Sequence, residues 1–149
     1  MNINNNKFFR IFINGNSNYQ SININTNNLD SFQSGKKIYM CVEHFYMGKS
    51  DNVNYDAPLY LYTSNYQNNS VDTSTSLNSN HLLTIQNQNF TYFYNMDNSE
   101  NGIICTLLSN LYIIFKKVST QVGNLGELVD FDNINIGQYR LILRCYSID

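Results

Sequence analysis

KKIYMCVEHFYMGKS, Lys36 to Ser50, is the longest uninterrupted strand-like run in the chain, and its reading decides the fold. Successive side chains of a strand point to opposite faces. An even alternation puts Tyr39, Cys41, Glu43, Phe45 and Met47 on one face and Ile38, Met40, Val42, His44 and Tyr46 on the other. Both sets are largely apolar, the pattern of a central strand covered by the core on one side and by another body, such as a second chain, on the other. The same alternation sends Glu43 and His44 to opposite faces, which removes them as a local acid and base pair.

Working outward, no segment holds a 3.6-residue apolar period over ten positions, whereas strand-like runs recur at short intervals. Strands are expected at Lys7–Asn14 (KFFRIFIN), Gln20–Asn25, Lys37–Met47, Leu59–Thr63, His81–Gln86 and Phe90–Tyr94. Others are expected at Ile103–Leu108, Leu111–Val118 (LYIIFKKV) and Gln138–Ile148 (QYRLILRCYSI). A short helix is expected near Asn124–Val129. Asn, Asp, Ser and Gly tolerate left-handed backbone or bond their own main chain, so NGNSN (Asn14–Asn18), Asn25–Gly35, Gly48–Pro58 and the long polar tract Ser64–Asn80 read as loops. The last is longer than a structureless connection usually is, and is expected to be either an exposed contact loop or partly disordered.

About eight such strands in one domain spanning residues 1–149 bury two apolar faces. The expected fold is therefore all-β: an antiparallel β-sandwich, jelly-roll-like because the long connections suit strands that cross between sheets. In Leu111–Val118, the residues Leu111, Ile113 and Phe115 face the core, while Tyr112, Ile114 and Lys116 face out. In the last strand Tyr139, Leu141, Leu143 and Cys145 are core, and Arg140, Ile142, Arg144 and Tyr146 form an amphipathic outer face.

Charge is scarce: 13% of residues are Asp, Glu, Lys or Arg, about half the roughly 25% of an ordinary domain. There are 27 asparagines against six lysines. A coding bias towards A and T would raise both, so low charge has a further cause. Surfaces poor in charge and rich in Tyr, Asn and Ser are adaptable contact surfaces. The net charge is −2 with cations spread in ones and twos, which argues against nucleic acid as the main partner. No run approaches the roughly 18 apolar residues of a membrane span, and KFFRIFI is too short and too interrupted for a cleaved signal.

Motifs for chemistry are sparse. Cys41, Cys105 and Cys145 are widely spaced inside apolar runs and read as buried free thiols of a reducing compartment. Two histidines and these cysteines offer no zinc spacing, and a Cys/His nucleophile pair with His81 has no local support. Glu127, Asp130, Asp132 and Asn133 in ELVDFDNIN are oxygen donors, but Ile134 breaks a calcium-loop pattern and a solvated turn is the simpler reading. The sequons Asn68–Ser70 and Asn89–Thr91 are chance matches in so Asn-rich a chain. No phosphate-binding, dinucleotide or nucleophile-elbow signature is present, and neither a catalytic function nor a cofactor is expected.

The closely spaced strands, exemplified by KIYMCVEHFYM and the terminal QYRLILRCYSID, with Asn-rich loops between them, resemble the small single-jelly-roll capsid proteins, minor or vertex components, of large double-stranded DNA viruses and virophages. The resemblance implies a structural role in a virion assembled in the host cytoplasm, with itself and other capsid proteins as partners. The interface residues expected on the strand pattern are His44, Tyr46, Tyr60, Tyr62, Tyr66, Ile114, Arg140 and Arg144. The alternative is a lectin-like sandwich in which Tyr60, Tyr62 and Tyr66 stack on sugar rings and Asn side chains bond hydroxyls. The two differ in where aromatics lie: over a broad flat face for assembly, in a loop-lined groove for sugar.

Overall fold

The computed structural model describes residues 3–25, 35–48, 57–64, 81–97, 102–107 and 109–148. Tyr66, most of the Ser64–Asn80 tract and the sequon Asn68–Ser70 lie outside them. Eleven strands are described: β1 (Ile3–Gly15), β2 (Tyr19–Asn23), β3 (Lys37–Met47), β4 (Leu59–Ser64), β5 (His81–Ile85), β6 (Asn87–Gln88), β7 (Thr91–Asn95), β8 (Gly102–Thr106), β9 (Asn110–Val118), β10 (Leu128–Asp130) and β11 (Tyr139–Ile148). A 3-10 turn at Asn133–Asn135 precedes the last strand.

They form two antiparallel sheets. The larger runs β1-β11-β3-β7-β6, with β8 also on β3; the smaller runs β10-β9-β4-β5, with β2 also on β9. Because β11 occupies one edge of β3 along its length, β7 (against residues 44–47) and β8 (against 37–41) share the other edge end to end. Counting β7 and β8 as one strand and setting aside the two shortest, the pairing is nested: first with last (β1·β11), second with seventh (β2·β9), third with sixth (β3·β7/β8), fourth with fifth (β4·β5). That is a chain folded in half and rolled into two sheets, the jelly-roll arrangement.

The inner faces follow the expected alternation. Leu141, Leu143 and Cys145 of β11 and Leu111, Ile113 and Phe115 of β9 are fully buried and share one core with Leu59, Leu61, Met40, Phe45 and Met47. Phe45 of one sheet meets Phe115 of the other edge-to-face at 5.8 Å, and Tyr139 lies against both, at 5.9 and 4.8 Å. Each such aromatic or aliphatic side chain taken out of water contributes about 1.5–3 kcal/mol. One end is closed by Asn18, whose amide Nδ2 donates to the Phe131 carbonyl while its backbone N–H donates to Asn133 Oδ1.

Two expectations are corrected. No helix forms over 124–129: Gly123 and Gly126 adopt φ of +101° and +85°, a left-handed geometry no right-handed helix admits, and the segment is a turn closed by Gly126 N–H to Ser119 O, leading into β10. The even alternation of β3 also fails at its centre. Val42 pairs with Leu143 and His44 with Ile142, leaving Glu43 as an extra, bulged residue. The inward-facing set is therefore Ile38, Met40, Val42, then Phe45 and Met47, and Cys41 is buried on the outer side. Glu43 and His44 both turn to the outer face.

Candidate interaction face

Register across the larger sheet lays its outer side chains out in four rows, each read from β1 through β11 and β3 to β7 or β8. They are Asn14–Arg140–Tyr46–Phe93, Phe12–Ile142–His44–Asn95, Arg10–Arg144–Cys41–Gly102 and Phe8–Tyr146–Tyr39–Ile104. Five large apolar side chains on this one face are open to solvent: Phe12 at 67%, Phe93 at 54%, Tyr46 and Ile104 at 42% and Phe8 at 37%. Scattered apolar residues on a surface need no explanation, but five on one face of a sheet, two of them, Tyr46 and Phe93, directly paired, do.

The polar part of the face is built around the bulge. Glu43 accepts from Arg10 Nε at 2.9 Å through both carboxylate oxygens and from Arg144 Nη2. Burial would raise its carboxyl pKa, but the hydrogen bonds and charges of Arg144 and Arg10 outweigh that and hold it below the usual glutamate value. The same two guanidinium groups lie 5.0 and 4.9 Å from the ring centre of Phe8, and Arg144 Nη1 donates to Tyr146 Oη at 3.0 Å. These contacts hold long side chains flat against the sheet. In the next rows Arg140 donates to His44 Nε2 through Nη2 at 3.2 Å and Nε at 3.3 Å. With Nε2 accepting, Nδ1 is the nitrogen that donates to Asn95 Oδ1, at 2.6 Å. Phe93 meets the imidazole edge-on at 5.8 Å.

Four of the residues expected at an interface, His44, Tyr46, Arg140 and Arg144, are thus neighbours on this face. Tyr60, Tyr62 and Ile114 fall on the outer side of the smaller sheet, where Tyr62 pairs with Ile114 and Ile114 with Tyr19. Tyr62 is 4% exposed and packs on His81 at 5.1 Å. It presents no free ring to a sugar or a partner, and desolvation raises its phenol pKa. His81 bonds Thr84 Oγ1 at 2.9 Å, and burial lowers its pKa. Asp130 and Asp132 are engaged by Lys116 at 2.5 Å and Lys117 at 2.6 Å. Among the described residues no three His, Cys, Asp or Glu side chains gather as metal ligands, and no helix is long and apolar enough to cross a membrane.

Phe8, Arg10, Phe12, Phe93 and Ile104 were not singled out by the strand pattern, and an even alternation sets Glu43 on the face opposite His44. Part of the signal was present: in KFFRIFIN the residues Phe8, Arg10 and Phe12 alternate with the core residues Ile11 and Ile13, so β1 is apolar on both sides.

At one end of the face, where β1, β3 and β11 meet, an open cleft of about 580 Å³ is lined by Asn14, Gly15, Asn16, Gln20, Tyr46, Gln138, Tyr139 and Arg140. No protein-family model, curated protein or solved structure matches the chain.

Proposed function

We propose that the chain is a structural protein of a viral capsid, a minor or vertex component that works by packing against other chains through the outer face of its larger sheet. The observation that carries this reading is the placement of Phe8, Phe12, Tyr46, Phe93 and Ile104 on that one face, open to solvent. The jelly-roll topology and the low charge of the chain support it, and aromatic side chains spread over a sheet face suit assembly better than capture of a small ligand. Sedimentation equilibrium over a concentration series, with and without reductant, tests it. Concentration-dependent association that reductant leaves unchanged, and that Phe93→Asp removes while the circular dichroism spectrum stays the same, is the expected result. A wild type that stays monomeric throughout would count against self-assembly through this face.

One observation favours a second reading, a sugar-binding sandwich: the cleft with four side-chain amides, a tyrosine ring and an arginine. Amides donate and accept together, as hydroxyl groups require. A glycan screen with Gln138→Ala as control separates the two, since the assembly reading expects no glycan binding that this substitution abolishes.

A further inference from the structure

The cleft at the end of the larger sheet is polar and carries one charge. Asn14, Arg140 and Tyr46 stand in one cross-strand row over β1, β11 and β3, which makes their side chains near neighbours. Gln138 comes from just before β11, Asn16 from the turn after β1, and Gln20 from β2 of the smaller sheet. The cleft therefore reaches from one sheet to the other. Its volume of about 580 Å³ falls within the roughly 300–1,000 Å³ of ligand sites.

Its amides are idle where comparable ones are engaged. Asn18, two residues from Asn16, is tied to the Phe131 carbonyl and to Asn133, and Asn95 is tied to His44. The side chains of Asn14, Asn16, Gln20 and Gln138 make no hydrogen bond within the described residues. Four amides that each donate and accept match the hydroxyl groups of a sugar. The Tyr46 ring, 42% exposed, offers an apolar surface to the C–H side of such a ring.

Arg140 is the group that a neutral sugar would leave unused. It is the one charged residue lining the cleft, and no carboxylate lines it. The ion pairs of the described residues engage Arg10, Arg144, Lys116 and Lys117 but not Arg140. Its Nε and Nη2 donate to a neutral nitrogen of His44, which orients the guanidinium plane and occupies one edge of it. The edge formed by Nη1 and Nη2 keeps two parallel N–H donors at the spacing of a carboxylate.

Resting on the sugar-binding reading of the cleft, the geometry points to an acidic sugar as its ligand. The carboxylate pairs with Arg140, the hydroxyl groups bond the amides around it, and the apolar side of the ring lies on Tyr46. Hydrogen bonds between ionised groups are roughly twice as strong as neutral ones. The carboxylate therefore selects the sugar, while the amides serve acidic and neutral rings alike.

Titration of the chain, followed by NMR through the side-chain amide signals of the cleft and the Arg140 Nε signal, tests this. Glucuronate and galacturonate are compared with their neutral parents, glucose and galactose, and with acetate. A uronate is expected to shift these signals saturably, with a Kd at least about tenfold below that of its parent. Arg140→Gln removes the charge and keeps a hydrogen-bonding amide, and is expected to bring the two sugars level with the circular dichroism spectrum unchanged. Uronate and parent binding equally well would overturn the acidic class and leave the sugar-binding reading standing. A uronate preference that survives Arg140→Gln would overturn the assignment of the carboxylate to Arg140. Acetate binding as tightly as the uronate would overturn a sugar ligand in favour of a bare anion site. Signals that none of the compounds moves would overturn both the acidic sugar and the sugar-binding reading, and leave the assembly proposal untouched.

Discussion

Gly15 and Tyr139 stand directly opposite each other on β1 and β11, and the tyrosine ring fills the space a side chain on Gly15 would need. A Cβ there would lie 2.8 Å from Tyr139 Cε1 and closer still to the hydroxyl. The ring has nowhere to go, because it is buried against Phe45 and Phe115. Gly15→Ala is expected to destabilise the fold by about 1–3 kcal/mol through overpacking, read as a lowered denaturant midpoint with unchanged slope.

The same tyrosine carries a buried hydroxyl with no hydrogen-bond partner. Tyr139→Phe removes that polar group and keeps the ring, so stability at neutral pH is expected to be unchanged or higher. Desolvation pushes the Tyr139 phenol up to about 12, above the roughly 10 of an unfolded tyrosine. A raised folded value means stability is fully present below pH 10 and is lost as the pH climbs towards 12. Tyr139→Phe should flatten that alkaline loss in pH-dependent urea melts.

Glu43 ties β3 to β1 and β11 through Arg10 and Arg144. Its folded pKa lies below the unfolded one, so its contribution is present above about pH 4.3 and disappears as the pH falls through the folded value. Glu43→Gln is expected to cost about 1–3 kcal/mol at pH 7, least for the half-exposed Arg10 pair. The difference from wild type should shrink in acid; a gap that stays constant down to pH 2 would mean the ion pairs are not its source.

The β6–β7 hairpin turns through Asn89 and Phe90, with φ of +52° and +66°. Two-residue turns of this hand favour Asn-Gly, and left-handed backbone costs a residue with a Cβ about 1–2 kcal/mol. Part of that is offset by the entropy glycine adds to the unfolded chain. Phe90→Gly is expected to raise stability by about 0.5–1 kcal/mol in thermal melts.

Cys41 and Cys145 are buried, whereas Cys105 is partly open. Burial pushes the Cys145 thiol pKa up, away from the reactive thiolate. An aromatic disulfide reagent added to native protein is expected to titrate one thiol, Cys105 by peptide mapping, and all three after unfolding.

Strand existence and the inward residues of most strands were legible in the chain, because burial alternation is local: each residue's face follows from its neighbours' polarity. Leu111, Ile113 and Phe115 illustrate this, as do Leu141, Leu143 and Cys145. The bulge in β3 left a trace too, since the apolar positions Met40, Val42, Phe45 and Met47 change phase between 42 and 45. An even alternation reads past it and sends Glu43 to the wrong face. A helix over 124–129 fails for a related reason, as the left-handed glycines there serve a turn whose closure depends on β9 pairing with β10.

The sequence by itself determined an all-β chain of short strands, poor in charge, with aromatics on both sides of several strands. Tertiary structure alone decided the nested order and the face that order creates. Arg10, Glu43 and Arg144 are separated by 33 and 101 residues, and nothing local links them. They meet because β1 pairs with β11 and β11 with β3, and a one-residue bulge turns a carboxylate outward beneath two guanidinium groups.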